Sequence, residues 1–275
     1  MHHASAVATP FTLHTARGHF RVVIDGATNA PAVVLSNSLG TTLEMWAPQV
    51  EAFAQHHRVI RYDTRGHGGS IVTPGPYSMA DLGQDVVAIL DALDVSTTAF
   101  CGVSMGGHTG LWLGVHAGQR LRKLVVCNSA ARIGTAQVWQ DRAASVRVGT
   151  AMAMQALADT APGRWFSPAF VRDRAPTVQA VQAVLATISP EGYAACCEAL
   201  ALSDLRSELS CIATPTLLVA GEVDPVTTVT DAQAMQAAIT GARTVVLPAS
   251  HLSNIEAAQA FTAAVLPFLN LAARA

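Results

Sequence analysis

Short, continuously apolar segments recur along this chain and constrain its fold more strongly than any other feature of the sequence. Residues 32–35 read Ala-Val-Val-Leu and residues 217–220 read Leu-Leu-Val-Ala, with no polar residue in alternation. Such runs are typical of strands that are buried on both faces. Elsewhere Leu82, Val86 and Ile89 recur at helical spacing. We therefore predict an α/β fold, in which helices flank both faces of a mostly parallel central sheet.

The predicted strands alternate with helices, as the crossover connections of a parallel sheet require. An opening hairpin comes first, and the buried strands follow it at residues 32–35, 58–62, 99–103, 124–128, 216–220 and 244–247. The alternation fails once, where helical patterns are interrupted by four prolines. We predict an inserted helical cap there, at residues 130–210, on an α/β core of residues 1–129 and 211–275.

Composition excludes several classes of partner. The chain has 275 residues with 17 Lys and Arg against 19 Asp and Glu, so its net charge of −2 provides no basic surface for nucleic acid. No apolar stretch is long enough for a spanning helix, and the first residues show no signal peptide, so no membrane partner is expected. The five cysteines lack metal-ligand spacing and are expected to be reduced thiols of a cytoplasmic protein. We predict no metal and no cofactor.

The segment Gly102-Val103-Ser104-Met105-Gly106 has the pattern G-x-S-x-G. It follows a predicted strand and opens a predicted helix. This context places a serine on a tight turn, with its hydroxyl exposed above the sheet. We therefore predict that Ser104 is a nucleophile. The N–H of Met105 would then lie at a helix N-terminus and could stabilise a developing oxyanion.

A serine hydroxyl needs a base and an orienting carboxylate, and these follow the nucleophile along the chain in the order acid, histidine. Asp224 follows a predicted buried strand, and His251 follows the last strand. His251 would accept the proton of Ser104, and Asp224 would fix the imidazole tautomer. Glu222 lies closer to the strand end and remains an alternative acid.

A second oxyanion donor is expected in the loop after the first buried strand, at residues 36–40. Its sequence is Ser-Asn-Ser-Leu-Gly, and we predict that the backbone N–H of Leu39 supplies the donor. Ser38 of the same loop is predicted to contact the substrate.

Several segments together resemble the α/β-hydrolases and, within them, the bacterial 3-oxoadipate enol-lactonases. These segments are residues 36–41, 61–68, 101–107, 164–166, 191–193 and 251–256. The resemblance implies cofactor-free hydrolysis of 3-oxoadipate enol-lactone to 3-oxoadipate through an acyl-enzyme, in the β-ketoadipate pathway of aromatic-compound degradation. Glu222 departs from the family, in which another residue often occupies this position, but the departure leaves Asp224 in place.

A small anionic lactone carries a free carboxylate, which a nearly neutral protein must meet with a placed cation. Arg132, just past a predicted strand and at the cap entrance, is the first candidate because its planar guanidinium suits a carboxylate. Arg164 is the alternative. Trp139 and Trp165 are predicted to line the pocket.

Two other functions stay open at this point. A carboxylesterase or perhydrolase-type enzyme would use the same serine on another small ester. A non-enzymatic ligand receptor would share the fold, although an intact nucleophile, base and acid argue against it.

Overall fold

Eight strands form one sheet in the computed structural model, which describes residues 8–271. The strands are β1 (Phe11–Thr15), β2 (Gly18–Asp25), β3 (Ala32–Ser36), β4 (Arg58–Tyr62), β5 (Thr98–Val103), β6 (Leu121–Cys127), β7 (Thr216–Gly221) and β8 (Arg243–Leu247). Their order across the sheet is β1-β2-β4-β3-β5-β6-β7-β8. The pairs β1–β2 and β2–β4 are antiparallel, and every other pair is parallel. The predicted α/β fold is confirmed.

Eleven α-helices accompany the sheet in the described part of the chain. They are α1 (Ala47–Ala54), α2 (Met79–Ala92), α3 (Met105–His116), α4 (Ala136–Thr160), α5 (Pro162–Trp165), α6 (Pro168–Asp173), α7 (Ala175–Thr187), α8 (Pro190–Leu202), α9 (Val229–Ala238), α10 (Ser253–Glu256) and α11 (Ala258–Asn270). The helices α4 to α8 lie between β6 and β7, within the segment for which a cap is predicted. The boundaries of the two units stay predictions.

The continuously apolar runs occupy the centre of the sheet. Every residue of β3, β5 and β7 is buried, as expected for strands covered on both faces. Since β3 and β5 to β8 run in the same direction, their carboxyl ends meet at one edge. Ligands of open α/β sheets bind in the crevice at that edge. Each predicted triad residue follows the carboxyl end of one of these strands.

No helix within residues 8–271 is both long enough and apolar enough to cross a bilayer. The same residues include no group of three or more His, Cys, Asp or Glu side chains that could hold a metal ion. The segment in which no signal peptide is expected begins with residues 1–7, which lie outside the described residues.

Candidate active site

Ser104 occupies the sharp turn between β5 and α3. Its backbone has φ 56° and ψ −116°, a left-handed conformation that costs a non-glycine residue about 1–3 kcal/mol. Hydrogen bonds hold the turn, since Ser104 N donates to Cys127 O at 2.9 Å and Ser129 Oγ donates to Ser104 O at 2.8 Å. A Cβ atom on Gly102 would clash with the carbonyl of Gly106, so the pattern of glycines follows from close backbone approach.

His251 and Asp224 form a buried pair. His251 Nδ1 lies 2.8 Å from Asp224 Oδ2, and both side chains are almost fully buried. An Nδ1–H that donates to the carboxylate leaves Nε2 as the basic nitrogen, which is the tautomer that a general base needs. Glu222, the alternative acid, is exposed. The carboxylate in contact with His251 is therefore that of Asp224.

The carboxylate of Asp224 receives hydrogen bonds from several directions. Oδ1 accepts from Val226 N at 2.8 Å and from Thr227 N at 3.1 Å. Oδ2 accepts from Thr227 Oγ1 at 2.8 Å in addition to His251. Burial by itself would raise the pKa of Asp224, but the hydrogen bond and charge of His251, with the other donors, lower it overall. Asp224 is therefore ionised at neutral pH.

Asn128 is a site residue that was not predicted from the sequence. It follows β6 with a left-handed φ of 43°. Its Nδ2 donates to Asp224 Oδ2 at 3.0 Å and to Ser250 O at 3.1 Å, and its Oδ1 accepts from Ser253 Oγ at 2.5 Å. Asn128 thus fixes both the acid and the loop that carries His251. Its place at a strand end was the only signal in the sequence.

Ser104 and His251 both lie at the carboxyl edge of the sheet, but they are not hydrogen-bonded to each other in the described residues. Their residues are 7% and 3% exposed. Hydrogen bonds of catalytic groups often tighten only when substrate is bound. The arrangement therefore supplies an oriented imidazole and a buried serine at the same edge of the sheet.

Leu39 and Met105, the predicted oxyanion donors, each have a free backbone N–H among residues 8–271. The neighbours of Leu39 are both engaged, because Ser38 N donates to Met45 Sδ at 3.3 Å and Gly40 N donates to His67 Nε2 at 2.9 Å. The loop therefore leaves the N–H of Leu39 as its available donor.

His67 belongs to the loop after β4 and accepts a hydrogen bond from the oxyanion loop, which is residues 36–40. Its Nε2 accepts from Gly40, so its proton resides on Nδ1, which lies 3.3 Å from Arg65 O. Burial lowers the pKa of His67 to about 4. The imidazole is therefore neutral at physiological pH and remains an acceptor.

This buried histidine predicts a pH dependence of stability. The unfolded chain protonates His67 near pH 6.5, whereas the folded protein does so only near pH 4. Since the unfolded state binds more protons within this window, stability falls as pH falls from 6.5 to 4. We expect His67 to contribute a loss of about 3 kcal/mol in unfolding free energy. Urea unfolding at pH 7 and pH 4 measures it.

The variant His67→Gln retains an acceptor for Gly40. Between pH 7 and pH 4 its unfolding free energy should fall by about 3 kcal/mol less than that of the wild type. The exposed His56 offers a control, because His56→Gln should follow the wild-type profile. Equal losses in wild type and His67→Gln would contradict the assignment.

The predicted pocket residues have different surroundings. Trp165 is buried, and its carbonyl accepts from Leu252 N at 3.0 Å, directly after His251. Trp139 is also buried and donates its indole N–H to Ile133 O at 2.5 Å. Ser38 is buried in the oxyanion loop. The structure thus brings Trp165 and Ser38 close to the elements of the triad and oxyanion loop.

The two arginines considered for the substrate carboxylate differ in their partners. Arg132 is exposed and lies 3.7 Å from a carboxylate oxygen of Asp204, which also pairs with Arg206. Arg164 instead donates to the hydroxyl of Thr160 at 3.1 Å, a neutral partner.

This chain is similar to several known proteins. A family model described as the alpha/beta hydrolase fold matches residues 31–258. The chain is 48% identical over 240 residues to 3-oxoadipate enol-lactonase 2 of Acinetobacter baylyi, which covers 87% of this chain and 89% of that protein. It is 46% identical to 3-oxoadipate enol-lactonase 1 of the same organism, with the same coverage. The crystal structure of the enol-lactonase from Burkholderia xenovorans LB400 superposes with a TM-score of 0.92 at 42% identity, covering 95% of this chain and 100% of that one.

Proposed function

Because the chain belongs to the α/β-hydrolase fold family and is an ester or lactone hydrolase, we propose that it hydrolyses 3-oxoadipate enol-lactone to 3-oxoadipate. This reaction would place it in the β-ketoadipate pathway. The observation that carries the proposal is a buried Asp224–His251 pair at the same sheet edge as the strained turn of Ser104, in a chain whose relatives are named for this reaction. Ser104, His251 and Asp224 act as nucleophile, base and orienting acid.

The reaction begins when Ser104 Oγ attacks the lactone carbonyl and His251 Nε2 accepts the hydroxyl proton. Negative charge develops on the carbonyl oxygen, where the N–H groups of Leu39 and Met105 donate to it. Asp224 stabilises the imidazolium that forms. The ring C–O bond then breaks, and the leaving oxygen departs as an enolate that stays tethered to the acyl group.

An enolate leaving group departs readily because it becomes a ketone when its carbon is protonated. The imidazolium of His251 gives the proton taken from Ser104 to the departing group, which ends as the ketone. Neutral His251 then removes a proton from water, which attacks the acyl carbon, and this proton returns to Ser104 Oγ as the diacid product is released. Neither step needs a cofactor. Two oxyanion donors of this kind typically contribute about 10²–10³ in rate each.

Purified protein tests the proposal directly. We expect the ultraviolet absorbance of the enol-lactone to disappear on addition of enzyme, with a kcat/KM at least about tenfold above that for simple aryl or alkyl esters. Such selectivity follows if the site recognises both the lactone and the carboxylate. Faster cleavage of the simple esters would favour a carboxylesterase or perhydrolase-type function instead. Failure of a fluorophosphonate probe to label Ser104 would favour a non-enzymatic receptor.

A further inference from the structure

The loop that carries His251 is held to the sheet by one side chain. Ser250 O, directly before the histidine, accepts a hydrogen bond from Asn128 Nδ2 at 3.1 Å. Ser253 Oγ, two residues after the histidine, donates to Asn128 Oδ1. Because Asn128 follows β6, these contacts fix the loop relative to the sheet. They leave the N–H groups on both sides of His251, those of Ser250 and Leu252, for other partners.

One of these N–H groups contacts the predicted cap directly. Leu252 N donates to Trp165 O at 3.0 Å, and Trp165 is the last residue of α5. The connection from α5 to α6 consists of residues 165–167, which we name the cap turn. Its two aromatic side chains, Trp165 and Phe166, are buried. The cap turn is thus anchored in the protein interior and contacts the residue directly after His251.

The other N–H group is joined to the cap turn through the carboxylate of Glu256. Ser250 N donates to Glu256 Oε2 at 2.9 Å. Ser167 N, in the cap turn, donates to the same carboxylate and lies 3.3 Å from each oxygen. Hydrogen bonds to a carboxylate are roughly twice as strong as those between neutral groups. Glu256 is therefore a strong link between the cap turn and the residue directly before His251.

The link to Glu256 bears on the position of the imidazole. Ser250 is almost fully buried, so without the carboxylate its N–H would have no partner. A buried N–H without a partner is unfavourable, and the loop would move until the group found another acceptor. Because His251 is the next residue, its side chain would move as well. A misplacement of about 1 Å in a catalytic group can reduce the rate about 10²-fold.

We propose that Glu256 is a positioning residue for His251, and that it couples the position of this base to the position of the cap turn. The inference rests on the proposed function, because it takes His251 as the general base. Glu256 transfers no proton in the reaction; it holds the loop of His251 against the cap turn. Since Trp165 is a predicted pocket residue, a substrate that contacts it also bears on this loop.

Removal of the carboxylate tests the proposal. Glu256→Ala should lower kcat for the enol-lactone about 10- to 100-fold and leave KM within about twofold of the wild-type value, because the substrate contacts are retained. The rate at which a fluorophosphonate labels Ser104 should fall by a similar factor, since that reaction also depends on His251. Glu256→Gln keeps one oxygen that can accept from both N–H groups, so its kcat should be within about threefold of the wild-type value.

The cap turn offers a second variant, in which the carboxylate is untouched. Ser167 has φ −66°, and Phe166 has φ −133° and ψ 154°, angles that suit proline and the residue before it. Ser167→Pro therefore removes the N–H that donates to Glu256 and keeps the backbone conformation. We expect it to lower kcat about fivefold or more.

Ser167→Ala is the matched control for this variant. Both substitutions remove the hydroxyl that accepts from Phe170 N at the start of α6, but only proline removes the N–H of residue 167. The kcat of Ser167→Ala should therefore stay within about twofold of the wild-type value. Equal kcat values in the two variants would contradict the coupling to the cap turn.

A variant at the opposite edge of the sheet separates loss of positioning from loss of stability. Lys123, near the amino end of β6, donates to Phe268 O at 2.7 Å and to Leu269 O at 2.8 Å. Lys123→Met loses these hydrogen bonds and should lower the melting temperature, yet it should keep the wild-type kcat while folded. The proposal is overturned if Glu256→Ala retains the wild-type kcat. It is also overturned if Lys123→Met lowers kcat and the labelling rate as much as Glu256→Ala does.

A small aryl ester distinguishes failure of this inference from failure of the proposed function. If the wild type cleaves the aryl ester but not the enol-lactone, the proposed function is refuted, and the aryl ester then measures the losses in the variants. If the wild type opens the enol-lactone and Glu256→Ala does so equally fast, the inference alone is refuted. A wild type that cleaves neither substrate and does not react with the fluorophosphonate would refute both.

Discussion

Ser104→Ala is expected to reduce kcat for the enol-lactone by about 10⁵- to 10⁶-fold. Without Oγ no acyl-enzyme forms, and His251 loses the group from which it removes a proton. A residual rate above that in water should persist because the N–H groups of Leu39 and Met105 remain in place. Steady-state kinetics with the purified variant measures the loss. Turnover near the wild-type value would exclude Ser104 as the nucleophile.

The strained backbone of Ser104 provides a control for this experiment. Alanine at φ 56° bears the same strain as serine, so Ser104→Ala should unfold at nearly the wild-type temperature. Ser104→Gly relieves the strain and should not be less stable than Ser104→Ala, although it is equally inactive. If activity were lost because the turn is damaged, activity and melting temperature would fall together. Their separation in these two variants would assign the loss to the missing hydroxyl.

The central sheet was predictable because its signals are local. The apolar runs of β3 and β7 identify buried strands by themselves, and parallel pairing follows from the helices between them. The helix boundaries of the cap are harder to predict, because alanine favours a helix at every position of an alanine-rich segment. The single helix α4 bends at Thr150, where φ is 49° and ψ is −128°, and no proline marks the bend. The local signal is Gly149, which directly precedes Thr150 but is too common a residue to predict a bend by itself.

In the candidate site, too, the features set by neighbouring residues could be predicted, and those set by distant residues could not. The turn of Ser104 is encoded by adjacent glycines, whereas the role of Asn128 depends on partners that arrive from the loops after β7 and β8. Charge pairing is equally non-local. Arg132 stays a predicted carboxylate ligand, and its ion pair with Asp204 could not be predicted because Asp204 comes from the other end of the cap segment in the sequence. Sequence spacing cannot reveal which arginines the fold leaves without a carboxylate.

Asp224→Asn is expected to lower kcat by about 10⁴-fold, and the hydrogen bonds around this residue explain why. Oδ1 accepts two backbone N–H groups, from Val226 and Thr227. In the variant those donors would retain the amide oxygen and so direct the NH₂ group toward His251 Nδ1. His251 would then have to accept at Nδ1 and carry its proton on Nε2. That tautomer cannot remove the proton of Ser104.

The variant Glu222→Gln is the matched control, since Glu222 is the other acid of the same loop and is exposed. It should retain wild-type kcat within about twofold, because surface substitutions away from partners have small effects. NMR of the His251 ring nitrogens would report the tautomer, which should change in Asp224→Asn and not in Glu222→Gln. A large loss of kcat in Glu222→Gln with an active Asp224→Asn would reverse the assignment of the acid. Loss in Asp224→Asn without a change of tautomer would instead locate its effect in the charge that stabilises the imidazolium.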